Sequence, residues 1–88
     1  MLASANLNNA ILANAKLLGA NLSGARLATA NLESAFLKRA KLYRANIRDA
    51  KLNRADLTQA DLSRAYLSGA ELREAILIEA RLPGANLL

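Results

Sequence analysis

The chain has 88 residues, a length that suits one domain, and its 12 Lys and Arg outweigh 7 Asp and Glu for a formal net charge of +5. It has no cysteine and no histidine, which removes disulfides, thiolate chemistry and the commonest catalytic bases and metal ligands. The basic balance points toward anionic partners, and no apolar run is long enough to span a bilayer.

Read from its start, the chain is one short unit used again and again. Leucine occupies every fifth position from Leu2 to Leu87, with Ile47 the single substitute, and alanine every fifth position from Ala5 to Ala85. The repeat begins at Leu2, so no signal or transit segment is expected. An α-helix turns every 3.6 residues, so a five-residue step spreads leucines around the whole cylinder and builds no apolar stripe. A flat strand alternates its faces, so the same step puts successive leucines on opposite sides. The pattern fits only a coil that bends once per unit and turns the Ala and Leu positions inward. Ala, Leu, Lys, Arg and Glu favour helix locally. Burial of a coherent core outweighs that preference.

The corners can be placed next. Gly19, Gly24, Gly69 and Gly84 all fall two residues after a leucine, as do Asn9 and Asn14. Glycine and asparagine accept the positive φ required at the second central position of a type II turn. Pro83 before Gly84 completes the preferred pair for such a turn. Arg39, Arg44, Arg54 and Arg64 share the register. Positive φ is costly for them, so another turn type is expected at those corners.

These residues carry a resemblance. Ala5-Asn6-Leu7, Ala20-Asn21-Leu22, Ala30-Asn31-Leu32, Ala45-Asn46-Ile47, Ala55-Asp56-Leu57, Ala60-Asp61-Leu62 and Ala85-Asn86-Leu87 follow A(N/D)Lxx, and the register runs through the whole chain. The sequence resembles the pentapeptide repeat family. The resemblance implies an all-β fold, a right-handed quadrilateral β-helix with one unit per side and four units per coil. Residues 1–88 then form a single pentapeptide repeat domain of a little over four coils, a rod roughly 20 Å long at about 4.8 Å per coil, with no evident terminal caps. Residues twenty apart stack. Lys41 over Asp61, Asp61 over Arg81, Lys51 over Glu71 and Arg54 over Glu74 become opposite-sign neighbours, and Arg44 over Arg64 a like-sign pair.

For function, the sequence points away from catalysis. The carboxylates are Glu33, Asp49, Asp56, Asp61, Glu71, Glu74 and Glu79. Glu74 and Glu79 share a register on adjacent units, but two solvated corner charges account for them. No glycine run forms a phosphate loop. No catalytic, cofactor-binding or metal-binding residue is assigned, and no cofactor or small-molecule substrate is expected.

Three surface features remain. Arg39, Lys41, Arg44, Arg48, Arg64 and Arg81 are candidates for an anionic partner, with Lys41, Arg44, Arg64 and Arg81 along one side and its corner and Arg39 and Arg48 flanking. A solvated face is the alternative, and no aromatics are expected to interleave with the stripe as in a single-strand binder. Leu18, Phe36, Ile76 and Ile78 flank the side centred on Leu17, Leu37, Leu57 and Leu77, a candidate apolar contact face interrupted by Lys38, Asp56 and Thr58. Leu2 and Leu7 at one end, and Leu82, Leu87 and Leu88 at the other, are candidates for end-to-end contacts, since open solenoid ends recruit partners.

The expected role is a non-enzymatic scaffold or protein–protein interaction module, with a subunit or a fragment of a larger assembly as the form in which it would work. The family is abundant in cyanobacteria. Its topoisomerase-binding members, which resemble DNA and are acidic, are a competing class that the charge of +5 disfavours. Nucleic-acid binding through the basic stripe is the third class.

Overall fold

The computed structural model describes residues 2–87. Each unit bends at its end because the alanine amide donates to the preceding leucine carbonyl, as Ala45 N–H does to Leu42 O at 3.0 Å. Neighbouring coils are joined by backbone bonds in both directions. Leu42 N–H donates to Asp61 O at 2.7 Å and Arg44 N–H to Ser63 O at 2.9 Å, while Lys41 N–H reaches back to Ala20 O at 2.8 Å. Among the described residues thirteen parallel bridges join residues twenty apart, from Asn6–Arg26 to Tyr66–Asn86. A coil is therefore four units, and the architecture is a right-handed quadrilateral β-helix.

Four faces result. Face 1 is centred on Leu2, Leu22, Leu42, Leu62 and Leu82, and face 2 on Leu7, Leu27, Ile47, Leu67 and Leu87. Face 3 is centred on Leu12, Leu32, Leu52 and Leu72, and face 4 on Leu17, Leu37, Leu57 and Leu77. The Cα extents are 26 × 26 × 25 Å, so the molecule is a block about as tall as it is wide rather than the expected rod.

Leucine and alanine fill the inside as the period requires. The largest fully buried side chains are Leu22, Leu27, Leu32, Leu37, Leu42, Ile47, Leu52, Leu57 and Leu62, each worth about 1.5–3 kcal/mol of burial. Between them the alanines from Ala25 to Ala65 are 0–1% exposed and leave room for the facing leucines. Among the described residues no polar side chain is buried.

The corners correct one expectation. All seventeen, arginines included, have positive φ at the second residue after the leucine, from 57° at Ser34 and Glu79 to 74° at Gly69. Arg39, Arg44, Arg54 and Arg64 do not switch turn type; their φ values are 62°, 59°, 62° and 58°. A left-handed non-glycine residue costs roughly 1–2 kcal/mol. The coil accepts that cost because any other corner would break the ladder above and below it. The corner amide is itself a ladder donor, as at Arg44.

The residue after the leucine, Pro83 apart, has an amide left outside this ladder, and in several units a side chain serves it. Asn6, Asn21, Asn31, Asn46, Asp56 and Asp61 each accept from the amide two residues on, at 3.0–3.2 Å. In two columns a carboxamide from the coil before does the same work. Asn8 Oδ1 accepts from Ala28 N–H at 2.9 Å and Asn53 Oδ1 from Arg73 N–H at 2.8 Å. The Asn/Asp position thus has a structural cause: it caps the one amide per unit that the fold leaves over.

Candidate interaction surfaces

Every unit projects three side chains outward: the residue before the central leucine and the two after it. Repeated at the coil spacing, they form vertical columns, and the columns define what each surface can bind. The corner between faces 1 and 2 carries Ser4, Gly24, Arg44, Arg64 and Gly84, beside the column Asn6, Arg26, Asn46, Tyr66 and Asn86. Arg44, Arg64, Tyr66, Gly84 and Asn86 line a shallow open groove there. Gly84 keeps it open, since a Cβ at that position would stand 3.2 Å from Arg64 Cγ.

Sequence reasoning missed the aromatic content of this corner. The Arg44 guanidinium lies 5.3 Å from the Tyr43 ring centroid, and Arg48 lies 4.8 Å from that of Tyr66. Aromatics therefore do interleave with the basic residues, contrary to expectation. The signal lay in the twenty-residue stacking that the resemblance implied: it sets Tyr66 between Asn46 and Asn86, one step around the corner from Arg64.

The six basic candidates do not act alike. Lys41 and Arg81 stand in one column of face 1 with Asp61 between them, Arg44 and Arg64 share the corner with face 2, and Arg48 lies past Ile47 on face 2, its guanidinium reaching the Tyr66 ring. Arg39 sits at the opposite corner of face 1, tied into a polar ladder. Its Nε donates to Gln59 Oε1 at 3.0 Å, and Gln59 Nε2 donates to Glu79 Oε1 at 2.9 Å. Of the four opposite-sign stacks expected, only Arg54–Glu74 forms an ion pair among the described residues, at 3.8 Å with both side chains mostly exposed. Lys41, Asp61 and Arg81, and likewise Lys51 and Glu71, share columns as expected without closing to ion-pair distance. Glu71 instead accepts from Asn53 Nδ2 at 2.9 Å. Glu74 and Glu79 belong to different corners, each engaged within its own column.

Asp56 and Asp61 titrate below the ordinary carboxylate range. The Thr58 hydroxyl is the main cause for Asp56, with the Thr58 amide adding to it, and Ser63 plays the same part for Asp61.

The apolar candidates separate into two patches. Leu18 and Phe36 belong to the lower part of face 4, beside Lys16 and Lys38, and Ile76 and Ile78 to its last coil. Between them Asp56 accepts hydrogen bonds from both the amide and the hydroxyl of Thr58. Ile76, Leu77 and Ile78 are 42%, 37% and 64% exposed, a continuous apolar run on that coil. Leu82 and Leu87 are exposed as expected, whereas Leu2 and Leu7 are half-buried; Leu88 lies outside the described residues. No helix of the described residues is long and apolar enough to cross a membrane.

The coil geometry defines a pentapeptide-type quadrilateral solenoid, and comparison with known proteins agrees. The family model for pentapeptide repeats matches residues 2–33, 20–59 and 50–87. The chain belongs to the pentapeptide repeat family. A pentapeptide repeat protein from the cyanobacterium Cyanothece is 34% identical over 94% of this chain and 60% of its own, with a TM-score of 0.64. HetL of the cyanobacterium Nostoc, a pentapeptide repeat protein involved in regulating heterocyst differentiation, is 37% identical over 93% of this chain and 48% of its own, with a TM-score of 0.51. A pentapeptide repeat protein of the Arabidopsis thaliana thylakoid lumen, 24% identical over 91% of this chain and 59% of its own at a TM-score of 0.64, shares the fold. The chain thus spans less than two thirds of each of these proteins. No curated protein sequence matches it.

Proposed function

We propose that residues 1–88 act as one non-enzymatic interaction module, a scaffold that presents fixed columns of side chains to a protein partner. The observation that carries this reading is the continuous apolar run Ile76, Leu77 and Ile78 on the outside of a block whose interior is already filled. Aligned exposed apolar groups on a rigid surface favour a contact face. Leu82 and Leu87 on the same coil edge extend it toward a neighbouring subunit or a second copy. Pentapeptide repeat proteins are generally structural or interaction modules. The regulatory role of HetL is of the kind such a module serves. Mimicry of DNA toward a topoisomerase is disfavoured, because a charge of +5 has the wrong sign.

Co-purification from the native source tests the proposal by comparing the wild type with an Ile76→Ser, Ile78→Ser variant. The wild type should bring down a stoichiometric protein that the variant loses, at an unchanged unfolding midpoint. An identical set of companions with both forms would overturn it.

A further inference from the structure

We infer that the groove at the corner of faces 1 and 2 binds single-stranded nucleic acid, with Arg44 and Arg64 on the phosphodiester backbone and the Arg48–Tyr66 stack on a base. The two corner arginines occupy one column on successive coils, about 4.8 Å apart. That spacing lets both guanidinium groups address one phosphate or two consecutive ones. Among the described residues neither has a carboxylate within ion-pair distance. Lys41 and Arg81 on face 1 add positive charge beside them. The acid between those two, Asp61, already accepts from the amide and hydroxyl of Ser63.

A basic groove alone would suit any polyanion. What favours a single strand is the wall of the groove. Tyr66 is 41% exposed there, with the Arg48 guanidinium layered over its ring at 4.8 Å. Such a stack accepts a further planar group, and an unpaired base offers one whatever its identity. Asn86 completes the lining, and Gly84 leaves the floor clear above Arg64. From the coil of Arg44 to that of Gly84 the groove covers about 10 Å, room for roughly two nucleotides. Duplex bases are stacked inside their helix and cannot reach Tyr66. An acidic peptide would satisfy the arginines but gain nothing from the aromatic layer.

The test is fluorescence anisotropy of the purified protein with a labelled oligothymidylate, across a salt series. The single strand should bind more tightly than a duplex of equal length or a polyglutamate competitor. Tyr66→Leu should weaken binding about 5- to 100-fold with the salt slope unchanged, as loss of one stacked base predicts. Arg44→Gln with Arg64→Gln should lower the slope of log K against log salt by about 1.4, at roughly 0.7 per phosphate contact on a single strand. Arg48→Gln should repeat the Tyr66 effect in weaker form. All three variants change exposed side chains, and circular dichroism with an unfolding midpoint checks that the fold persists. Absence of binding, equal binding of duplex, full competition by polyglutamate, or indifference to Tyr66→Leu in a folded protein would each overturn the assignment.

Discussion

Asp61 Oδ1 accepts two hydrogen bonds from Ser63, one from its amide at 3.0 Å and one from its hydroxyl at 2.5 Å. Asp56 and Thr58 repeat the arrangement one unit earlier, at 3.0 and 2.6 Å. Both arrangements favour the ionised carboxylate, which is why both groups titrate low. With the folded value below the unfolded one, the stabilisation is fully present above the unfolded carboxylate range near pH 3.9 and is lost as pH falls through the folded value.

An Asp56→Asn, Asp61→Asn protein should therefore unfold with less pH dependence than the wild type. Asparagine keeps an acceptor for the amide, as Asn46 does for Arg48 at 3.2 Å, so the fold survives. Denaturant titrations at pH 7 and pH 3 check this. The stability gap between the two proteins should shrink at the lower pH, and a gap that widened there would reverse the assignment. Asp61→Ala removes the cap altogether and should cost about 0.5–1.5 kcal/mol at pH 7.

Corner strain makes a second prediction. Ser34 has φ of 57°, in a register where every residue is left-handed. Glycine meets no Cβ penalty in that region. Ser34→Gly should raise stability by about 1 kcal/mol, less whatever the freer glycine gains in the unfolded chain. A thermal melt reads the change directly, and a lowered midpoint would mean the serine contributes more than its strain.

The core makes a third. Leu42 and Ala45 are 1% and 0% exposed, and coils above and below fix the backbone around both. Leu42→Ala should cost about 2–5 kcal/mol, because a hydrogen-bonded stack cannot close around the hole. Ala45→Leu should be at least as damaging, since the alanine wall has no spare volume. Thr29→Ala at an exposed corner should be far milder. Equilibrium unfolding of the three variants ranks them, and parity between Leu42→Ala and Thr29→Ala would undo the inward assignment.

The Ala–Leu period was enough to give a coil that bends once per unit and the inward positions, because both follow from where a five-residue step can bury a side chain, whereas the twenty-residue register came from the resemblance to the pentapeptide repeat family. The arginine corners were misread because local propensity was set against a ladder that fixes φ for every unit alike. Arg44 must donate its amide to Ser63 whatever its side chain prefers. The role of Asn and Asp before the leucine was equally hidden, since nothing in the period says which amide is left over. The basic stripe was legible as charge, but which charges stand free was not. Arg39 is tied to Gln59 and Arg54 pairs with Glu74, while Arg44 and Arg48 lie against tyrosines. Those outcomes depend on the neighbour one coil away and around the corner, a relation the linear sequence spreads over about twenty residues.

The final prediction separates backbone strain from crowding. Gly19 and Gly69 both sit at left-handed corners, with φ of 65° and 74°. A Cβ at Gly19 would meet nothing within 4 Å, whereas one at Gly69 would run into Asp49 Oδ1. Gly19→Ala should therefore cost only the left-handed penalty, about 1–2 kcal/mol. Gly69→Ala adds displacement of the Asp49 carboxylate, which is exposed and can rotate away, so the extra cost should be small but real. Asp49→Ala in the Gly69→Ala background should remove that extra cost and bring the protein level with Gly19→Ala. A double-mutant cycle on the Asp49–Gly69 pair measures the difference. Zero coupling in the cycle would mean that the Asp49 carboxylate does not occupy the space above Gly69 in solution.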